Sequence, residues 1–303
     1  MDIPRLEAFR EIARLGSMRA AARSMHLGQP ALSARIAALE DELGARVFER
    51  TKRGVRLTLA GQALLPHAER AIDAIEAGRS AVRHVEQGDE GELAIAAESG
   101  INASVVPELV ARFRRYHPGV HLFVLTGSAS RIVELVAFGS AQVGLVRELR
   151  DARVRSTPLY EETILLAARP DHPFVAEGPI AMRRLEDATL IFYDRGSEDY
   201  ELSQSLLRDA GVKPYGVIEV DSVDTVRRLV ARGLGVALLP STAVAPEIEA
   251  GRLASVGLRD APAISRRIVA LERAASPAWA PVETLRGLLA DVASFVPGAS
   301  PLA

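Results

Sequence analysis

The stretch Ser17–Leu43, SMRAAARSMHLGQPALSARIAALEDEL, constrains this chain most. Ser17 is a strong N-cap, and Met18–Met25 is an Ala-rich run of good helix formers. His26-Leu27-Gly28 breaks the run. Gln29 then opens a second helix, with Pro30 in the first turn, where its missing N–H has no helical partner to lose. Leu32, Ile36, Leu39 and Leu43 are spaced by four, three and four and form one apolar stripe. Gln29, Ser33 and Arg35 lie off that stripe. From Arg14 to Leu39 there are four arginines and no acid. Two short helices around a tight turn, the second with an acid-free polar face, make a helix-turn-helix, so the expected partner is double-stranded DNA.

The net charge of −2 alone argues against nucleic acid, but its distribution reverses that. Residues 1–60 hold eleven Lys and Arg against seven Asp and Glu, and the remainder 26 against 32. A basic head on an acidic body fits contact with phosphate at one end only. A length of 303 residues predicts two or three compact units. The absence of cysteine excludes disulfides and thiolate metal sites. There is no signal-peptide pattern and no apolar run near the ~20 residues of a membrane span, so a cytoplasmic protein with no membrane partner is expected.

Around the motif, Met1–Leu15 reads as a first helix with a core face of Leu6, Phe9, Ile12, Ala13 and Leu15, ended by Gly16. Downstream, Val47 and Phe48 lead into two short strands whose turn carries Arg50, Lys52, Arg53 and Arg56 around Gly54. In isolation such a run is a solvated loop; directly after a helix-turn-helix it reads as a wing on the DNA backbone. Thr58–Gln87 reads as one helix of ~45 Å. Its seam of Leu65, Ala68, Ile72, Ile75, Arg79 and Val82 has too few apolar residues to pack inside a domain. Pairing with a second copy is expected, the alternative being a helix laid along its own domain.

Past a polar hinge at Gln87–Gly91, strands and helices alternate. A strand in GELAIAAES, a helix Val105–Tyr116, a strand Val120–Leu125, a helix Ser130–Phe138 and a strand Gln142–Val146 form one series. After a crossover near Pro158–Thr163 come strands Thr163–Ala168 and Thr189–Tyr193, a helix Tyr200–Ala210, a strand Val217–Val220, a helix Val223–Arg232 and a strand Gly235–Leu239. A strand Arg267–Leu271 and a helix Pro277–Leu289 return to the first series. This pattern predicts two α/β lobes with mostly parallel sheets and a cleft between them. The polar residues at strand ends are then candidate ligand contacts: Ser99, Gly100, Asn102, Thr126, Ser128, Arg195, Ser197 and Asp221. Each alone is an ordinary cap or turn residue; convergence of their loops would make a site for a small acidic or polar molecule. Arg195 either meets an acidic ligand or bridges to Glu198 or Asp199.

An enzyme or solute-binding protein on the same two-lobed fold is the competing reading. The chain has no G-x-S-x-G, Walker loop or H-E-x-x-H, and no G-x-G-x-x-G after a strand. His117 and His121 stand four apart but are separated by Pro118-Gly119, so no metal site is expected. No cofactor is implied, and a regulator rather than an enzyme is expected.

The first sixty residues resemble the winged helix-turn-helix of LysR-type transcriptional regulators, through ARLGS, LGQPALS, I..LE.ELG and VFER. The match continues in GELAIA, VPELVARFRRYHPGV and LVARGLGVALLP. The resemblance implies a winged helix-turn-helix domain (1–58), a linker and dimerisation helix (59–88) and a two-lobed, periplasmic-binding-protein-like α/β effector domain (91–303). Its lobe 1 would comprise 91–160 and 267–303, and its lobe 2 161–266. It further implies a bacterial regulator that binds DNA as a dimer or tetramer, responds to a small molecule, and has RNA polymerase as a further partner. Gln29, Pro30 and Ser33 match the family's major-groove positions. Gln29 suits adenine, and Arg35 guanine or a phosphate. Ser17, Arg19 and the wing residues Arg50, Lys52 and Arg53 complete the candidate DNA set. Two departures, Gly28 where the family usually has Ser or Thr and Ala34 where it often has a basic residue, bear on which operator is preferred.

Overall fold

Helix α1 (Ile3–Leu15) starts at Asp2, whose carboxylate accepts the Arg5 N–H at 3.0 Å, and stops at Gly16, whose φ of 61° suits glycine. In α2 (Met18–Ser24) the Ser17 hydroxyl accepts the Ala20 N–H at 3.3 Å. The turn that follows is a Schellman motif with His26, not Gly28, in the left-handed position (φ 52°). There the His26 N–H donates to the Arg23 carbonyl at 3.2 Å and the Leu27 N–H to the Ala22 carbonyl at 2.9 Å. Gly28 is extended and opens α3 (Gln29–Leu43) without a side-chain cap. Leu32, Ile36 and Leu39 are buried against Leu6, Phe9, Ile12, Val47 and Phe48. Leu43 departs from the expected stripe: it is 39% exposed, one turn past the edge of this core.

The wing is an antiparallel hairpin of β1 (Phe48–Thr51) and β2 (Gly54–Leu57). The Glu40 carboxylate of α3 accepts the Val47 and Phe48 N–H groups at 2.8 and 3.3 Å, and the Val55 N–H donates to the Gly16 carbonyl at 3.0 Å. The wing is thus tied to α3 and to the end of α1. Helix α4 (Leu59–Gln87) begins at Thr58, whose hydroxyl accepts the Gly61 N–H at 3.1 Å, and contains an interior Pro66. Part of its expected pairing seam is used within the head. Ala68 and Ile72 are buried in the head's own core with Leu64, Leu65 and Ala71 packed beside them, whereas Ile75 is exposed. The half nearer the head therefore does pack inside its own domain.

The computed structural model describes residues 1–51, 54–87, 91–193, 195, 198–274 and 279–302. Lys52, Arg53, Ser197, most of the expected hinge and the first two residues of the last expected helix lie outside them, as does the Arg50 side chain. The chain forms two compact units, Met1–Val82 and Arg83–Ala303.

The second unit opens with β3 (Glu92–Ala97), α5 (Ser99–Ser104), α6 (Val106–Tyr116), β4 (His121–Thr126), α7 (Ala129–Ala137) and β5 (Val143–Arg147). The expected crossover at 158–163 is instead the middle of one 15-residue strand, β6 (Val154–Ala168). Pro158, which suggests a break in sequence, is tolerated where the register with the returning strand shifts. Then follow α8 (Pro173–Glu177), β7 (Thr189–Tyr193), α9 (Glu198–Asp209), β8 (Gly216–Val220), α10 (Val223–Ala231), β9 (Ala237–Pro240), α11 (Ser241–Glu249), β10 (Ala254–Val256), β11 (Ser265–Arg273) and α12 (Ala280–Ala290).

One sheet runs β4-β3-β5-β11-β6, with β3 parallel to both neighbours. The far half of β6 leaves it to pair with β9 and β10, and a bridge between Leu190 and Val236 joins these to the parallel pair β7-β8. Alternation puts Leu93 and Ile95 on the face of α6 and α12, and Ala94 and Ala96 on that of α7. In the second sheet Leu190 and Phe192 face α9, and Ile191 and Tyr193 face α10 and α11. Two lobes, each with helices on both sheet faces, are joined by β6 and β11. No helix among the described residues is long and apolar enough to cross a membrane.

Candidate DNA interface and effector cavity

On α3 the side chains of Gln29, Pro30, Ser33, Ala34 and Ala37 are exposed, while Leu32, Ile36 and Leu39 hold the opposite face in the core. Ser17 is partly buried as the α2 cap, and Arg19 is exposed just beyond it. Arg35 sits to one side of these residues. Its guanidinium turns back to the Pro4 carbonyl of α1, at 3.5 Å. The reason is angular: six residues from Gln29, Arg35 falls on the flank facing α1 rather than on the side of Gln29 and Ser33.

Much of the head's positive charge is matched internally. Arg5 pairs with Glu42 at 2.9 Å, Arg14 with Glu11 at 2.7 Å and the wing's Arg56 with Glu49 at 2.6 Å. Hydrogen bonds from Arg14 and then Ser24 hold Glu11 down to about 2. Arg19, Arg23 and Arg46 are exposed, and none forms an ion pair among the described residues.

In the second unit a cavity of about 490 Å³ lies between the lobes. Lobe 1 lines it with Ser99, Gly100 and Ile101 at the start of α5 and with Thr126–Ser130 at the start of α7. Glu98 and Arg147 sit at the ends of β3 and β5; lobe 2 contributes Tyr193 and Asp199, and the connecting strand β11 contributes Arg266. Arg266 is almost fully buried. It bonds Glu162 at 2.7 Å and Asp199 directly. Burial alone would push its pKa down; the two carboxylates outweigh that and hold it above the usual guanidinium value. Asp199 also accepts from the Tyr193 hydroxyl, and Glu162 from the Thr242 hydroxyl. Burial first, and Asp199 second, raise Tyr193 well above an ordinary phenol.

The HTH model described as "Bacterial regulatory helix-turn-helix protein, lysR family" matches residues 3–62, and the LysR substrate binding domain matches 86–294. The chain belongs to the LysR family. It is a transcriptional regulator with a DNA-binding head and an effector-binding domain. It is 34% identical over 307 residues to the SDS degradation transcriptional activation protein of a Pseudomonas species, with 99% of each chain covered. It is 30% identical to the regulator IlvR of Caulobacter vibrioides, covering 95% of this chain and 96% of that one. Among solved structures, a Corynebacterium glutamicum OxyR C206 mutant is 26% identical with a TM-score of 0.56, covering 96% of this chain and 91% of its own. Full-length CbnR complexed with its target DNA, at 22% identity, shares the fold with a TM-score of 0.64, covering 97% of this chain and all of its own.

Within this LysR effector domain, four of the residues singled out from sequence line the cavity: Ser99, Gly100, Thr126 and Ser128. Asn102 stands beside it, its amide donating to the Thr126 hydroxyl at 2.6 Å. Arg195 and Asp221 do not line it. Arg195 is exposed and pairs with Glu219 at 2.5 Å; of the two acids expected for it, the Glu198 side chain lies outside the described residues. Asp221 follows β8, the edge strand of its sheet, and is exposed there. Glu98, Arg147, Asp199 and Arg266 were not singled out as ligand contacts by sequence reasoning, whereas Tyr193, at the end of a second-lobe strand, belongs to the loops expected to converge. Position at a strand end marks Glu98, Arg147 and Tyr193, but nothing local marks Arg266, which lies within β11. Among the described residues no group of three or more His, Cys, Asp or Glu is placed to hold a metal ion, and the His117 ring instead meets the Thr284 hydroxyl at 2.8 Å.

Proposed function

We propose that the effector occupies the interlobe cavity and that its binding changes how the heads engage promoter DNA. The observation that carries this is the composition of the cavity wall: lobe 1, lobe 2 and a connecting strand all contribute. A molecule filling the cavity touches every part that must move when the lobes shift, so it has differential affinity for their arrangements. The effector is a small polar molecule, matched to a wall of hydroxyls and charged groups. The domains are the head at 1–58, the linker helix at 59–88 and the effector domain at 91–303. The regulator works as a homodimer or homotetramer in the cytoplasm, paired through α4, where Ile75 is exposed, and it communicates with RNA polymerase at the promoter. Gln29 and Ser33 read bases, with Pro30 acting through the geometry of the helix start; Ser17, Arg19, Arg50, Lys52 and Arg53 hold the backbone.

The test is a gel-shift and footprint titration on the DNA beside the protein's own gene. Gln29→Ala is expected to lower the ratio of specific to non-specific affinity by about 1–3 kcal/mol. An unchanged ratio would remove Gln29 as a base reader. A footprint that is identical with and without a compound known to bind the cavity would refute the coupling.

A further inference from the structure

Charges in the cavity are unevenly matched. The guanidinium of Arg266 already faces two carboxylates, Glu162 and Asp199. Asp199 is committed on both oxygens, to Tyr193 and to Arg266. Glu98 differs from all of these. One of its oxygens accepts the Arg147 backbone N–H at 2.8 Å, and among the described residues no side-chain cation forms an ion pair with it. Burial raises its pKa above the ordinary carboxylate value and the charge of Asp199 adds to this, while the Arg147 N–H and the charges of Arg266 and Arg147 oppose it. Arg266 and Arg147 act on Glu98 only from beyond ion-pair distance, so its burial is incompletely compensated, and a cation bound in contact with it removes the remaining penalty. An anion in the same place would meet Glu98 and Asp199, and would find Arg266 already engaged by two carboxylates.

We infer that the effector carries a protonated amine and that Glu98 holds its ammonium group. The inference rests on the cavity being the effector site. The hydroxyls of Thr126, Ser128 and Ser130 line the cavity from lobe 1 and take the remaining polar groups of the ligand, supplying hydrogen bonds without net charge. The ligand class is therefore an amine or amino acid, not a simple carboxylic acid.

The experiment uses the full chain, thermal unfolding and calorimetric titration. The probes are matched pairs: primary amines and amino acids, each against the same skeleton with hydroxyl or hydrogen replacing the amine. Amine members are expected to stabilise the protein and their partners not to. Glu98→Gln, of the same shape, is expected to weaken amine binding at least tenfold while DNA affinity is kept. Equal binding by both members of the pairs overturns the inference on the unmodified protein alone, and so does the absence of any amine that binds. Ser130→Trp, which fills the cavity, separates the two readings. Loss of the amine-free compounds in Ser130→Trp keeps the cavity as effector site and discards the charge assignment. Amine binding unaltered by either variant discards both.

Discussion

Replacing Arg266 with methionine tests how the two lobes are held at the cavity. In the unmodified protein the guanidinium lies between Glu162, which is 1% exposed, and Asp199, with Tyr193 and Thr242 completing the network. Arg266→Met leaves two carboxylates facing an apolar side chain with no cation. Removing one partner from a buried ion pair costs about 3–5 kcal/mol, chiefly from the uncompensated charge left behind. For a domain of about 150–250 residues each kcal/mol shifts Tm by about 2–4 °C, so a loss of roughly 10 °C is expected. Adding Glu162→Gln and Asp199→Asn should recover most of it, because the amides are neutral and still accept from Thr242 and Tyr193. Trp279 is the chain's single tryptophan and packs against the lobe 1 core, so its fluorescence follows the effector domain without the head. A single variant less than about 1 kcal/mol below the unmodified protein would refute the charge argument, as would a triple variant no more stable than the single.

In the head, Arg19→Ala should weaken binding to all DNA sequences alike and reduce the slope of log K against log salt by about one, as expected of a phosphate contact. Sequence-dependent loss in parallel gel shifts would reassign it. His26→Gly should stabilise the head by about 1 kcal/mol, since an L side chain in left-handed backbone costs about that much; a lower midpoint in circular dichroism melts would show that the His26 side chain outweighs the strain. Glu11 is held at about 2 in the folded head against an ordinary 4.5, so its contribution is present above about pH 4.5 and is lost as pH falls toward 2. With Arg14 62% exposed, solvent screening reduces this to about 1 kcal/mol or less. The stability gap between the unmodified protein and Glu11→Gln should therefore close on acidification, and a gap independent of pH would contradict the assignment.

The head was legible because its signals are local. Ser17, Gly16 and Gly44 act within a few residues of where they stand, and the 3–4 spacing of Leu32, Ile36 and Leu39 marks their common face directly. Where the structure departs from the reading of the head, a neighbouring element intervened: the head core takes up Ala68 and Ile72 of α4. In the effector domain the missed helix α11 carries an interior Pro246, which reads locally as a break. The continuity of β6 was hidden in the same way by Pro158, whose tolerance depends on a register shift against β11 more than a hundred residues away.

Sequence alone therefore determined the family, the helix-turn-helix with its exposed Gln29 and Ser33, and the succession of strands and helices, because each rests on interactions a few residues apart. The cavity's chemistry was decided only in three dimensions. Glu98, Tyr193, Asp199 and Arg266 come from β3, β7, α9 and β11, and no spacing along the chain relates them. Sheet register brings them together, and burial then sets their charges. That is why Arg195, prominent in sequence, is spent on Glu219 at the surface, while Arg266, inconspicuous within a strand, lies between two carboxylates at the centre.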